Sequence, residues 1–147
     1  MRKIFFILLL FGFLSHILAN DSPLPDPKLT PGECDEGTTV EQLQEVGYSK
    51  HHRHVSEALR RAVFAEYRIP WERRNDYEVD HLVSLSIGGS NSIKNLWPKP
   101  LRLNVAGKDI GAVTKDALED RLHWLVVSGQ LDLKEAQREI ATDWITA

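Results

Sequence analysis

Residues 77–108 read YEVDHLVSLSIGGSNSIKNLWPKPLRLNVAGK, and the fold turns on how this stretch is parsed. Tyr77, Val79, His81, Val83 and Leu85 alternate with Glu78, Asp80, Leu82 and Ser84. That period of two is a strand signal, imperfect only at Leu82. Gly88-Gly89-Ser90-Asn91 tolerates positive φ and reads as a sharp reversal, with Asn91 a turn former. A return segment covers Ile93 to Trp97. Pro98 and Pro100 are expected to stop it and to prepare a helix start, with Asn104 in the first turn and Lys108 one turn later on the same face. The expectation is a ββα unit carrying an unusually polar set: Asp80, His81, Asn91, Asn95 and Asn104.

The order of those residues resembles the HNH nuclease motif, also called the ββα-metal or His-Me finger. Its acidic-His pair at a strand end matches Asp80-His81, its turn matches Gly88-Gly89, and its loop anchor matches Asn95-Leu96. Its last His or Asn, carried on the helix, is matched to Asn104. The core is similar to the "DHL…LGGSN…NLWP" pattern of exported bacterial HNH proteins, and the run from Lys115 to Trp144 is similar to their C-terminal halves. The resemblance implies a metal-dependent endonuclease yielding 5′-phosphate ends. It implies His81 as general base, with Asn95 bracing its loop. HNH members that hold a structural zinc do so with cysteine pairs; this chain has one cysteine, so no such zinc is expected.

The chemistry agrees with the residue types. Hydrolysing a phosphodiester needs a base to activate water and positive charge to offset what builds on the phosphate. A neutral imidazole serves the first need. For the second, Asp80 and Asn104 offer hard oxygen donors suited to one divalent cation, Mg²⁺ in preference to Mn²⁺ or Zn²⁺. On a strand His81 points away from its neighbour Asp80, so it takes the base role and not a ligand position.

Around this unit the chain divides simply. Residues 1–19 pair a basic start, Arg2 and Lys3, with an apolar run ending at Ala19. This reads as a cleaved signal peptide in preference to a retained membrane anchor, and cleavage implies a secreted or periplasmic protein without stable membrane association. Removing Arg2 and Lys3 takes the formal net charge from −3 to −5, too acidic for binding nucleic acid by bulk charge. The bases are concentrated instead. Residues 50–74 hold seven Lys and Arg against Glu57, Glu66 and Glu72. Arg53, Arg60, Arg61, Arg73 and Arg74, with Lys108, are therefore the candidate phosphate contacts. Trp71 sits among them as a rim aromatic or a base-stacking ring.

Residues 20–37 form an irregular leader rich in proline and acid, either packed across the domain or mobile. A single domain follows over 38–147. Helices are expected at 38–46, capped by Thr38 or Thr39; at 55–67, with Val55, Leu59, Ala62, Val63 and Tyr67 on one face; along 110–126; and at 133–145, opened by Asp132 and Glu135. His51-His52-Arg53-His54 is read as an extended polar turn, and His123 and Trp124 as packing residues. The fold class is α+β: a mainly helical domain around a ββα-metal core. The expected partner is nucleic acid, DNA in preference to RNA, bound by a monomer with little sequence specificity. The alternative is a non-catalytic nucleic-acid-binding or interaction protein on the same scaffold.

Overall fold

A computed structural model describes residues 22–105, 107–109 and 112–145; the signal segment, residues 1–19, lies outside the described residues. The order is α1 (Val40–Leu43), α2 (Tyr48–His52), α3 (Glu57–Glu66), β1 (Tyr77–His81), β2 (Leu96–Pro100), β3 (Asn104–Val105), β4 (Lys108–Asp109), α4 (Ala112–Val127) and α5 (Leu133–Asp143). This is a mixed helix-and-strand fold. Among the described residues no helix is long and apolar enough to cross a membrane.

Local chemistry explains most boundaries. Thr39 opens α1 with a capping box closed by Gln42. Ser56 caps α3 by accepting from the Leu59 N–H. The helix stops at Arg68, φ 55°, two residues before Pro70. Asp132 caps α5 by accepting from Glu135 N. Gly129, φ 73°, terminates the longest of the described helices, as its position predicts. The expected extended turn at residues 51–54 is corrected in part: His51 and His52 belong to α2, where the His52 ring stacks on Tyr48 at 3.9 Å.

β1 pairs antiparallel with β2, Asp80 opposite Trp97 and Val79 opposite Pro98. Two expectations fail here. Pro98 and Pro100 do not end the return strand but lie within it. A two-stranded sheet has only edge strands, so a proline can turn its missing donor away from the ladder. No helix follows either: Asn104–Val105 and Lys108–Asp109 pair antiparallel as β3 and β4, with Asn104 opposite Asp109. Asn104 and Lys108 are thus strand residues, and the next helix begins only at Ala112.

The sheet is covered on both faces. Tyr77, Val79 and Leu96 pack with Val63, Phe64 and Ile69 on the α3 side. Trp97 joins Leu82, Val83, Ile87, Leu122, Val126, Ile140 and Trp144 on the side of α4 and α5. Each fully buried large apolar side chain contributes about 1.5–3 kcal/mol. The second face is buried too, by a helix that brings its own charges.

Of the two fates open to the leader, its described part, residues 22–37, is strapped down. Thr30 donates to the Leu96 carbonyl at 2.9 Å, Gly32 N–H to Lys94 O at 3.1 Å, and Trp144 Nε1 to Pro23 O at 3.0 Å.

Candidate functional site

Loop 82–95 links the paired strands and carries the site. It folds back sharply because Gly89 comes so close to Val83 that an added Cβ would lie 1.8 Å from the Val83 carbonyl oxygen. Gly88, φ 77°, makes the preceding left-handed turn. Asn95, fully buried, holds the loop from inside. Its Oδ1 accepts from Val83 N–H at 2.9 Å, and its Nδ2 donates to the carbonyls of Val83 and Ser90, both at 2.9 Å. One amide thus uses three of its four hydrogen-bonding positions on loop backbone.

His81 ends β1 on the face turned toward the α2–α3 connection, and is 1% exposed. Its Nε2 lies 3.1 Å from Asn91 Oδ1. The orientation of Asn91 is set independently of the histidine. Its Nδ2 donates to His52 O at 2.7 Å, and its Oδ1 accepts from His54 N–H at 3.0 Å. Facing an acceptor, Nε2 must carry the proton. Nδ1 is then the lone-pair nitrogen, and among the described residues it has no hydrogen-bond partner. Burial pushes the imidazole down to a pKa of about 4; the Asn91 hydrogen bond opposes this, and the nearby Arg53 charge adds to it. The result is a neutral histidine of fixed tautomer. Sequence reasoning left Asn91 as a turn former, because nothing local announces contacts with residues some forty positions away.

Asp80 points to the other face, beneath α4. Its Oδ2 lies 2.9 Å from Lys99 Nζ and 3.1 Å from Lys115 Nζ, and both lysines are buried. Lys115 also pairs with Glu119 one turn along α4, and donates to the His81 carbonyl at 2.7 Å. Ser84 Oγ donates to Glu119 Oε2 at 2.9 Å. Burial alone would push the Asp80 carboxyl up, but Lys115 and Lys99 outweigh it and hold it below the usual carboxylate range. Glu119 is pushed up, by burial first and by the Asp80 charge as well. Burial opposes the charge on Lys115, yet Asp80 and Glu119 raise it above an ordinary lysine. The Lys115–Glu119 spacing, four residues on a helix, was the one visible signal for this network; Lys99, between two prolines, had none.

The expected ligand pair, Asp80 and Asn104, is engaged with other partners. Asn104 is exposed on β3, where its Oδ1 accepts from Gly107 N–H at 2.9 Å. Among the described residues its side chain and that of Asp80 share no partner. The first turn of α4, residues 112–115, reads Ala-Val-Thr-Lys and contains neither His nor Asn. An Asp80 carboxylate already neutralised by two ammonium groups is a poor donor for a dication, because the ammonium charges repel it. Among the described residues no group of three or more His, Cys, Asp or Glu is placed to hold a metal. Asp80 and Asn104 as arranged here do not fit a divalent cation.

The expected phosphate contacts separate. Arg60, Arg61 and Arg74 line one groove with Trp71. Arg73 turns elsewhere, pairing with Asp76 at 3.1 Å and lying 5.2 Å over the Tyr77 ring. Arg53 is exposed and close enough to His81 to depress its basicity. Lys108 lies on β4, and its side chain is outside the described residues. His123, as expected, packs, with Nδ1 2.8 Å from Ser86 O; Trp124 does not, and is 56% exposed. Compared with protein-family models, curated proteins and solved structures, the chain matches none.

Proposed function

We propose that the chain is an exported endonuclease that hydrolyses phosphodiester bonds of nucleic acid, with His81 as general base. One observation carries the reading: a buried, neutral imidazole whose Nε2 proton is committed to Asn91 while its Nδ1 lone pair has no partner among the described residues. Buried polar atoms are nearly always satisfied, and an orphan in a native site calls for a role. A lone pair held away from other acceptors suits removal of a proton from water. Nδ1 takes that proton, the oxygen attacks phosphorus, and the bond to the departing oxygen breaks as that oxygen takes a proton from solvent. Asn91 and Asn95 position the base; neither enters the reaction. Because His81 is 1% exposed, substrate binding must be accompanied by local opening around it.

Asp80 favours a second reading, a protein that binds nucleic acid without cutting it. Its carboxylate is spent on Lys99 and Lys115, and nothing in the first turn of α4 replaces it as a metal donor. The test is purified protein lacking residues 1–19 with plasmid DNA, single-stranded DNA and RNA. It is run with Mg²⁺, Mn²⁺, Zn²⁺ or chelator, beside His81→Gln with its fold checked by circular dichroism. Cutting that is lost in the variant supports the nuclease. Binding without cutting under every ion transfers the case to the second reading. Neither cutting nor binding overturns both.

A further inference from the structure

A groove of about 430 Å³ runs between α3 and the 3₁₀ turn Trp71–Asp76, lined by Arg60, Arg61, Trp71, Arg74 and Asn75, with Glu57 its one acid. Trp71 is held edge-on against Phe64 at 5.3 Å, so its ring plane is set by the core. The Arg61 guanidinium lies 4.2 Å over that ring while pairing with Glu57 at 2.7 Å. Arg74 lies 5.5 Å from the ring and donates to the Trp71 carbonyl. Arg60 has no ion-pair partner among the described residues. Three guanidinium groups against one exposed carboxylate suit an anion. A fixed indole already bearing a flat cation suits a second flat π-system.

The groove joins the His81 site through the backbone. Asn91 Oδ1 holds both His81 Nε2 and the His54 N–H, and Val55, the next residue, lines the groove. Adjacent Cα atoms are about 3.8 Å apart, so the groove starts one residue from His54, whose N–H shares the Asn91 acceptor with the imidazole.

We infer that this groove is a subsite for single-stranded nucleic acid: a base stacks at Trp71 while flanking phosphates pair with Arg60 and Arg74, along the strand from the phosphate presented to His81. A duplex keeps its base faces stacked and offers none to an indole, which is why the subsite selects single strands or frayed ends. The position of the strand rests on the nuclease reading; the affinity of the groove does not.

The experiment measures binding in chelator, by fluorescence anisotropy, of a labelled oligonucleotide of about ten nucleotides and of its duplex. The proteins are wild type, R60A/R74A, whose two arginines are exposed, and Trp71→Phe, which keeps a ring on Phe64. Single strands are expected to bind about tenfold tighter than duplex. R60A/R74A is expected to weaken single-strand binding about tenfold and to reduce its salt slope by about 1.4. Trp71→Phe is expected to fall between. Equal binding of single strand and duplex overturns the inference, as does a double variant that binds like wild type. Arginine-dependent single-strand binding by a protein that never cuts keeps the subsite and removes the nuclease. Cutting that survives in R60A/R74A with unchanged binding does the reverse.

Discussion

Lys115 Nζ sits 3.1 Å from Asp80 Oδ2 and 2.7 Å from the carbonyl oxygen of His81, so one buried ammonium ties α4 to the end of β1. A charge in that position is expensive to remove alone. Lys115→Met is expected to cost about 3–5 kcal/mol, because Asp80 and Glu119 are left as buried carboxylates with one fewer counter-charge. Urea unfolding monitored by tryptophan fluorescence measures it. Lys115→Met combined with Glu119→Gln should recover part of the loss, since the charge left over on the helix is then removed as well.

Asn91 sets the tautomer of His81, and its loss should be seen at the ring. In Asn91→Ala the buried Nε2–H loses its acceptor, and the hydrogen bond that raises the imidazole pKa disappears. The titration midpoint is expected to fall below the wild-type value of about 4, followed by NMR of the His81 ring protons. Stability should drop by about 1–3 kcal/mol from the unsatisfied donor. Any cutting activity should fall more than the fold does.

Stability should depend on pH through the same histidine. Its folded pKa lies below its unfolded value of 6.5, at about 4. Between those values the unfolded chain binds the proton and the folded chain does not, so stability rises with pH in that window. The contribution is complete above pH 6.5 and is lost as pH falls toward 4, amounting to about 3 kcal/mol at most. His81→Gln should flatten that part of a urea-midpoint curve while leaving carboxylate titrations below it.

Asn95→Asp tests the loop brace with almost no change in shape. The retained oxygen still accepts from Val83 N–H, but the second oxygen now faces the carbonyls of Val83 and Ser90, where Nδ2 had donated. Placing a buried carboxylate against two acceptors is expected to cost about 3 kcal/mol or more. Thermal unfolding should show it, with Asn95→Ala falling between Asp and wild type.

Gly89→Ala should be worse than its size suggests. A methyl group at 1.8 Å from Val83 O requires backbone to move, not a side chain to turn. A loss of roughly 3 kcal/mol or more is expected in chemical denaturation, with amide exchange rising first in residues 82–95.

Residues that act on their immediate neighbours were legible in the sequence. Thr39, Asp132 and Gly129 cap or stop helices by bonds spanning a few positions, and their roles could be read directly. The Gly-Gly reversal belongs to the same class, but the alternation read through Leu85 gives a strand only as far as His81, because Ser84 caps a 3₁₀ turn at Leu85–Ile87. The helix expected at Asn104 was not legible, because two prolines that break a strand in a wide sheet are harmless in a two-stranded one. Nor could periodicity show that Lys99 and Lys115 would meet under α4, or that Asn91 would reach residues 52–54.

The sequence by itself determined the paired strands, the polar loop between them and the ends of most helices, because short-range hydrogen bonds and side-chain periodicity decide those. Only the tertiary structure decided what each polar residue faces. Asp80 and His81 are neighbours in the chain, but the pleat sends one under α4 to two lysines and the other toward Asn91. Which face a helix comes to cover, and what charge it carries there, depends on long-range packing that no local pattern encodes.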